Sequence, residues 1–449
     1  MSKHRTDSRI QQLPALCVSD VIPRAVVTAS PASLSRRTIL ERLALLVGGS
    51  MLLSEGIASA RDANKPSFVD QHSNMPNLPH ANRRSGTPRP PFSESTDEFA
   101  AVPGMPGARF WADSVADFEQ ALPLESGPWL ILSEGGEDGA YGAGVLSGWT
   151  KEGSRPVFSV VTGTSTGALI APFAFLGPDY DERLYQQYTA VTAADIIELR
   201  ATRESMFDDW PLASLIAKII TPELLRNIAN EHQNGRRLFV VTTNLDAARP
   251  VIWNMGVIAQ SREEAGLRLF RQVLLASASI PGMFQPVMIE VQANGHHFQE
   301  MHADGGAAAP FYVAPESVLL GTINLQLPAT AIYIVINGKL TPEFQMTDRT
   351  TASILGRSIG VALKAAARAE IMAVHSVARR QGIDVNVAAV DPGFSFENQG
   401  PFDTQRMKAL FDIGFEQARN RTAFRNQFGP GSTSSNWARD GLLSNRSNP

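Results

Sequence analysis

Short, predominantly apolar segments that alternate with helical ones constrain this chain most. Residues 129–133, 158–162, 238–243, 331–337 and 385–390 are compact Val-, Ile- and Leu-rich runs. Helical patterns over 140–149, 168–175, 350–380 and 404–420 separate or follow them. A strand with apolar residues on both faces has no face to offer water, so it must be covered on both sides. Strands of that kind interleaved with helices predict an α/β fold of three layers, α/β/α, around a mainly parallel central sheet. With 449 residues, 43% apolar and 19% charged, the chain has the composition and length for one large domain of this type.

Both ends read differently. Ser35-Arg36-Arg37-Thr38 precedes a short apolar run over 43–53 and then Ala58-Ser59-Ala60. A basic start, a short apolar stretch and small residues at a cleavage position predict an export signal over 1–60, of twin-arginine type. Export to the periplasm or cell envelope, and a soluble chain after processing, follow as expectations. Residues 61–106 are rich in Pro, Asn and Ser without apolar period, and read as a disordered linker. The catalytic domain is expected over 107–428, and 429–449 as a loose tail. The single cysteine, Cys17, lies inside the signal, so the processed chain would have no thiol for a disulfide, a nucleophile or a metal site. A net charge of −4, with basic residues scattered along the chain, argues against nucleic acid as a partner.

The chemistry starts at Gly163-Thr164-Ser165-Thr166-Gly167, where a strand gives way to a helix. A nucleophile on such an elbow needs small neighbours at Gly163 and Gly167, because the turn is sharp and strained. The helix N-terminus behind Ser165 favours developing negative charge. One strand earlier, Ser133-Glu134-Gly135-Gly136-Glu137-Asp138-Gly139 opens a helix and offers backbone N–H groups to an anion. A phosphate-binding loop is the competing reading, but no Gly-Lys-Ser/Thr follows, and Glu137 and Asp138 would repel a pyrophosphate. The third element, Asp304-Gly305-Gly306, is by itself an ordinary turn.

A glycine-rich loop, GxSxG on the next strand, Ala276-Ser277-Ala278-Ser279-Ile280-Pro281 and then Asp304-Gly305-Gly306 together resemble the patatin-like phospholipase family over residues 130–417. The resemblance implies a serine–aspartate dyad without histidine. Ser165 is then the nucleophile and Asp304 the base. Gly135, Gly136 and Gly139 are the oxyanion loop, and Gly163, Gly167 and Gly305 support the motifs. It implies hydrolysis of lipid carboxylic esters through an acyl-enzyme, with a lipid substrate, transient contact with a membrane surface, no cofactor and no metal. Two positions depart from the family's pattern. Glu134 stands where the loop usually has its first glycine, and Asp138 where many members have Arg or Lys. A carboxylate beside a developing oxyanion is unfavourable unless it points away.

Two other readings are open. An α/β-hydrolase triad could use Ser165, Asp304 and His375, although His375 falls within a helical run. The same fold could also serve as a non-catalytic lipid-binding module. His302 shares a strand face with Asp304 and could support it, whereas His296 and His297 flank a turn and are expected in solvent. The apolar residues of 206–220 read as core at helical spacing, or more sharply as an acyl-chain pocket or membrane-facing lid.

Overall fold

The computed structural model describes residues 89–198, 204–261, 263–396 and 400–425. The export signal, most of the linker and the C-terminal tail lie outside the described residues. Among those described, nine strands form one sheet. They are β1 (Arg109–Trp111), β2 (Gly127–Leu132), β3 (Val160–Thr164), β4 (Arg237–Asn244), β5 (Arg249–Asn254), β6 (Val287–Ala293), β7 (His296–Asp304), β8 (Ala329–Ile336) and β9 (Asp384–Ala389). The order is β1-β5-β4-β3-β2-β8-β9, and β7 of the β6–β7 hairpin also pairs with β4. The central five, β4-β3-β2-β8-β9, run parallel. The pairings of β1 with β5, β5 with β4, β4 with β7 and β6 with β7 are antiparallel.

Burial explains why the parallel strands are mostly apolar on both faces. Leu130 and Leu132 of β2 pack with Val161, Leu238 and Val240 on one face, while Trp129 and Ile131 pack with Val160, Phe239 and Ile334 on the other. The first face is covered by residues of α2 (Gly139–Glu152), α3 (Thr166–Leu176), α7 (Glu263–Ser277) and α9 (Thr404–Arg419). The second is covered by α1 (Val115–Ala121) and the C-terminal half of α8 (Thr351–Gln381). The result is the expected three-layer arrangement. All five strands read from the apolar runs are present, with ends displaced by no more than two residues.

Between α3 and β4 the chain is helical, including α4 (Asp181–Thr189), α5 (Trp210–Ile219) and α6 (Pro222–Gln233). Phe207, Leu212, Ile216 and Ile220 are buried in the first-face core, so the 206–220 segment is core rather than lid. α2 and α9 cross closely. A Cβ at Gly144 or Gly148 would meet the carbonyl oxygen of Phe411 or Phe415 at 2.1 Å. That contact fixes the helix that follows the glycine-rich loop.

Residues 89–106, a tether by composition, are instead seated on the hairpin and on the turn between β4 and β5. Phe92 stacks on Phe298 with centroids 4.5 Å apart, Ala101 bridges Gln292, and Arg89 pairs with Asp246 at 2.7 Å. Among the described residues no helix is long and apolar enough to cross a membrane.

Candidate active site

Ser165 stands alone between the last residue of β3 and the first of α3, with φ 55° and ψ −122°. A non-glycine residue in that region is strained, and the surrounding contacts must hold it there. The flanking glycines show how tight the turn is. A Cβ at Gly163 would lie 2.3 Å from the Gly167 carbonyl oxygen, and one at Gly167 would lie 2.4 Å from that of Leu132. The Ser165 N–H donates to Ser277 Oγ at 3.0 Å, and the Ser277 hydroxyl donates to the Val241 carbonyl at 2.6 Å.

Strand register brings the base to the nucleophile. β3 pairs with β4 as far as Thr164↔Val241. At the next β4 residue, β7 takes over, with Thr242↔Asp304. The ends of β3 and β7 therefore meet along one edge of β4. Ser165 Oγ donates to Asp304 Oδ2 at 2.6 Å, and the Gly306 N–H donates to Oδ1 at 2.7 Å. The Asp304 main chain is held on both sides: its N–H donates to the Ser279 carbonyl at 2.9 Å, and Thr243 Oγ1 donates to its carbonyl at 2.9 Å. A Cβ at Gly305 would lie 2.5 Å from the Val241 carbonyl oxygen, so that position too requires glycine. The Ala276–Pro281 motif thus grips the nucleophile through Ser277 and the base through Ser279. Burial pushes the Asp304 carboxyl up to about 7, against the opposing hydrogen bonds from Ser165 and Gly306. A base that titrates near neutrality suits proton transfer from a hydroxyl.

The glycine-rich loop is braced from β8. The N–H of Asn337 donates to Ser133 Oγ at 2.9 Å, and its side-chain amide donates to the Ser133 carbonyl at 2.8 Å. Its Oδ1 accepts from the Gly142 N–H at 3.2 Å. Gly135 passes so near that a Cβ would lie 2.1 Å from the Asn337 carbonyl oxygen. The N–H groups of Gly135 and Gly136 have no acceptor among the described residues. Gly139 differs from the expectation: its N–H donates to the Gly136 and Glu137 carbonyls within its own turn. Gly139 therefore contributes space rather than a donor, since a Cβ there would lie 2.2 Å from Thr166 Oγ1.

The acidic residues of this loop find separate solutions. Arg406 of α9 pairs with Glu137 at 2.8 Å and with Asp138 at 2.6 Å, so neither carboxylate faces the loop uncompensated. Glu134 is half-buried, with its side chain against Gly306. Burial, then the charges of Asp304 and Asp138, push it up to about 8, with Lys364 opposing. At neutral pH it is an uncharged acid, which removes the repulsion its position had implied.

No triad geometry is present at His375. It is buried on α8, which packs on the opposite face of the sheet from α3, and burial followed by Arg379 pushes it down to about 4. His302 does share a face of β7 with Asp304, yet it bonds elsewhere. Nε2 is 2.8 Å from Glu300 and Nδ1 is 2.9 Å from Thr242 Oγ1, which accepts from Trp253 Nε1 at 2.7 Å. With Nε2 donating to the carboxylate, Nδ1 accepts from the threonine. Glu300 also pairs with Arg109. Burial pushes Glu300 up, but His302 and Arg109 hold it at about 2. His296 and His297 are exposed at the start of β7. Among the described residues no group of three or more His, Cys, Asp and Glu is placed to hold a metal ion.

The sequence model of the Patatin-like phospholipase family matches residues 130–315, from β2 through the glycine-rich loop, the elbow and Asp304. No curated protein matches the chain. Among solved structures, VipD from Legionella pneumophila is similar at 13% identity and a TM-score of 0.34, over 68% of each chain.

Proposed function

We propose, from the patatin-like phospholipase domain that residues 130–315 carry, that the protein hydrolyses carboxylic esters of lipids with a Ser165–Asp304 dyad. The observation that carries this reading is the 2.6 Å hydrogen bond from Ser165, strained on its elbow, to a buried aspartate with a carboxyl at about 7. Asp304 Oδ2 accepts the hydroxyl proton as Ser165 Oγ attacks the carbonyl carbon. The N–H groups of Gly135 and Gly136 take the oxyanion. Collapse of the tetrahedral intermediate expels the alcohol, which leaves with the proton from Asp304. Asp304 then deprotonates a water molecule that attacks the acyl-enzyme, and the second collapse returns the proton to Ser165 and frees the acid. Since Gly306 holds Oδ1, the proton moves through one oxygen whose position is fixed.

Hydrolysis of short- and long-chain acyl esters and of a phospholipid tests this in wild type, Ser165→Ala, Asp304→Asn and His375→Ala. The first two substitutions are expected to lower kcat by on the order of 10³-fold or more, with thermal melting retained. His375→Ala is expected to keep activity. Loss of activity in a folded His375→Ala variant would point to a triad, and a wild type inert on every ester to a binding module.

A further inference from the structure

α8 is an inverted surface helix. Its C-terminal half packs Ile371, Val374 and Val377 against the sheet, as an amphipathic helix should. Over 351–366, however, Ser353 is the only buried side chain among those described. Apart from Thr351 and Ser358, the outward positions there are apolar or glycine. Ile354, Leu355, Ile359 and Val361 are 52%, 54%, 53% and 58% exposed, and Met372 continues the same stripe at 60%. Every exposed position from 351 to 376 is uncharged, whereas the charged residues of that interval, Arg357, Lys364, Arg368 and Glu370, are half-buried at its flank. At about 1.5 Å per residue, the stripe from Ile354 to Met372 extends for roughly 27 Å. The loop before it adds Phe344 and Met346, 94% and 84% exposed. Arg357 fastens that loop to the helix through the Glu343 carbonyl, and Lys364 does so through the Glu343 carboxylate at 2.7 Å.

We propose that this face is the surface by which the protein docks on a lipid bilayer carrying anionic headgroups. An apolar stripe this long and this exposed requires a partner. Its charge pattern selects one, because no acidic residue occurs from Arg349 to Ala369 and the exposed Arg349, Arg379 and Arg380 stand at its ends. Apolar side chains at the acyl boundary with cations among the headgroups is the arrangement of an interfacial helix. The location fits a lipid-cleaving site, so the inference rests on that reading for its purpose. The loop with Phe344 and Met346 leaves the end of β8 through Asn337, the residue that braces the glycine-rich loop, and the charge of Lys364 acts on Glu134. The bilayer face and the ester-cleaving loop therefore lie at the same end of the parallel strands.

Vesicle co-sedimentation of the full chain tests the docking without requiring turnover. In a Ser165→Ala background, phosphatidylglycerol-containing vesicles are expected to bind the protein more tightly than pure phosphatidylcholine vesicles. Adding Ile354→Asp and Ile359→Asp is expected to weaken that binding by about tenfold or more. In the Ser165 background the same pair should leave hydrolysis of a water-soluble short-chain ester unchanged within about twofold while lowering hydrolysis in vesicles about tenfold. Absence of binding to anionic vesicles, or binding indifferent to the pair, would overturn the proposal. A wild-type dimer that the pair dissociates, seen by light scattering, would overturn it in favour of a second copy of the chain. Vesicle binding by a chain that cleaves no ester would leave the docking standing and remove the hydrolase reading.

Discussion

Burial holds two acids near Ser165 well above the usual carboxylate range, and each affects the site in its own way. Asp304, at about 7, must be ionised to accept a proton, so activity should fall as pH drops through that value. Glu134, at about 8, places a carboxylate beside the oxyanion loop once it ionises, so activity should fall again on the alkaline side. A pH–rate profile on a water-soluble ester should therefore be bell-shaped. Glu134→Gln, which keeps the shape and removes the proton, is expected to abolish the alkaline limb, leave the acid limb in place and keep neutral activity within about threefold. An alkaline limb that persists in this variant would assign it to another group. The sequence showed Glu134 as a departure beside the loop, but its neutrality depends on burial and on Asp304, which no local pattern reveals.

Helix and strand ends explain which parts of the site were legible. The parallel strands are legible because burial on both faces makes each a mostly apolar run, as in Trp129-Leu130-Ile131-Leu132. The β6–β7 hairpin carries no such run. β6 buries one face only, so Val287, Ile289 and Val291 alternate with more exposed residues, and Glu290, Gln299 and the adjacent histidines dilute the signal. That alternation was present and could have found it. Arg406 lay beyond reach of any motif, since it meets the glycine-rich loop from 269 residues away. Ser277 likewise reaches Ser165 across 112 residues, from the end of α7. Its hydroxyl serves two buried main-chain groups at once, so Ser277→Ala should leave the Ser165 N–H and the Val241 carbonyl unpaired. A destabilisation of about 1–3 kcal/mol in urea unfolding is expected, with kcat lowered more than KM is changed. An unaltered kcat would mean that the elbow holds its conformation without this brace.

Across the whole molecule, one ion pair joins the edge of the sheet to the hairpin that delivers the base. Arg109 on β1 and Glu300 on β7 are both buried, and Glu300 also holds His302. Arg109→Leu would leave a carboxylate buried without its cation, which destabilises by about 3–5 kcal/mol. Chemical denaturation should show that loss, and a stability unchanged within about 1 kcal/mol would mean that Glu300 can take up a proton at little cost.

The nose-to-nose meeting of β3 and β7 on β4 has a further consequence for how long the catalytic geometry lasts. Ser165 and Asp304 are 139 residues apart in the chain, yet Thr164, just before the nucleophile, and Asp304 itself are registered to adjacent β4 residues inside the sheet. Strand register sets their distance, and separating them means prising strands from β4, whose residues from Leu238 to Asn244 are all buried. The dyad should therefore open only as rarely as the sheet itself does. Inactivation by denaturant and the loss of amide hydrogen-exchange protection along β4 should then share a single midpoint, and the lifetime of the catalyst becomes that of the fold.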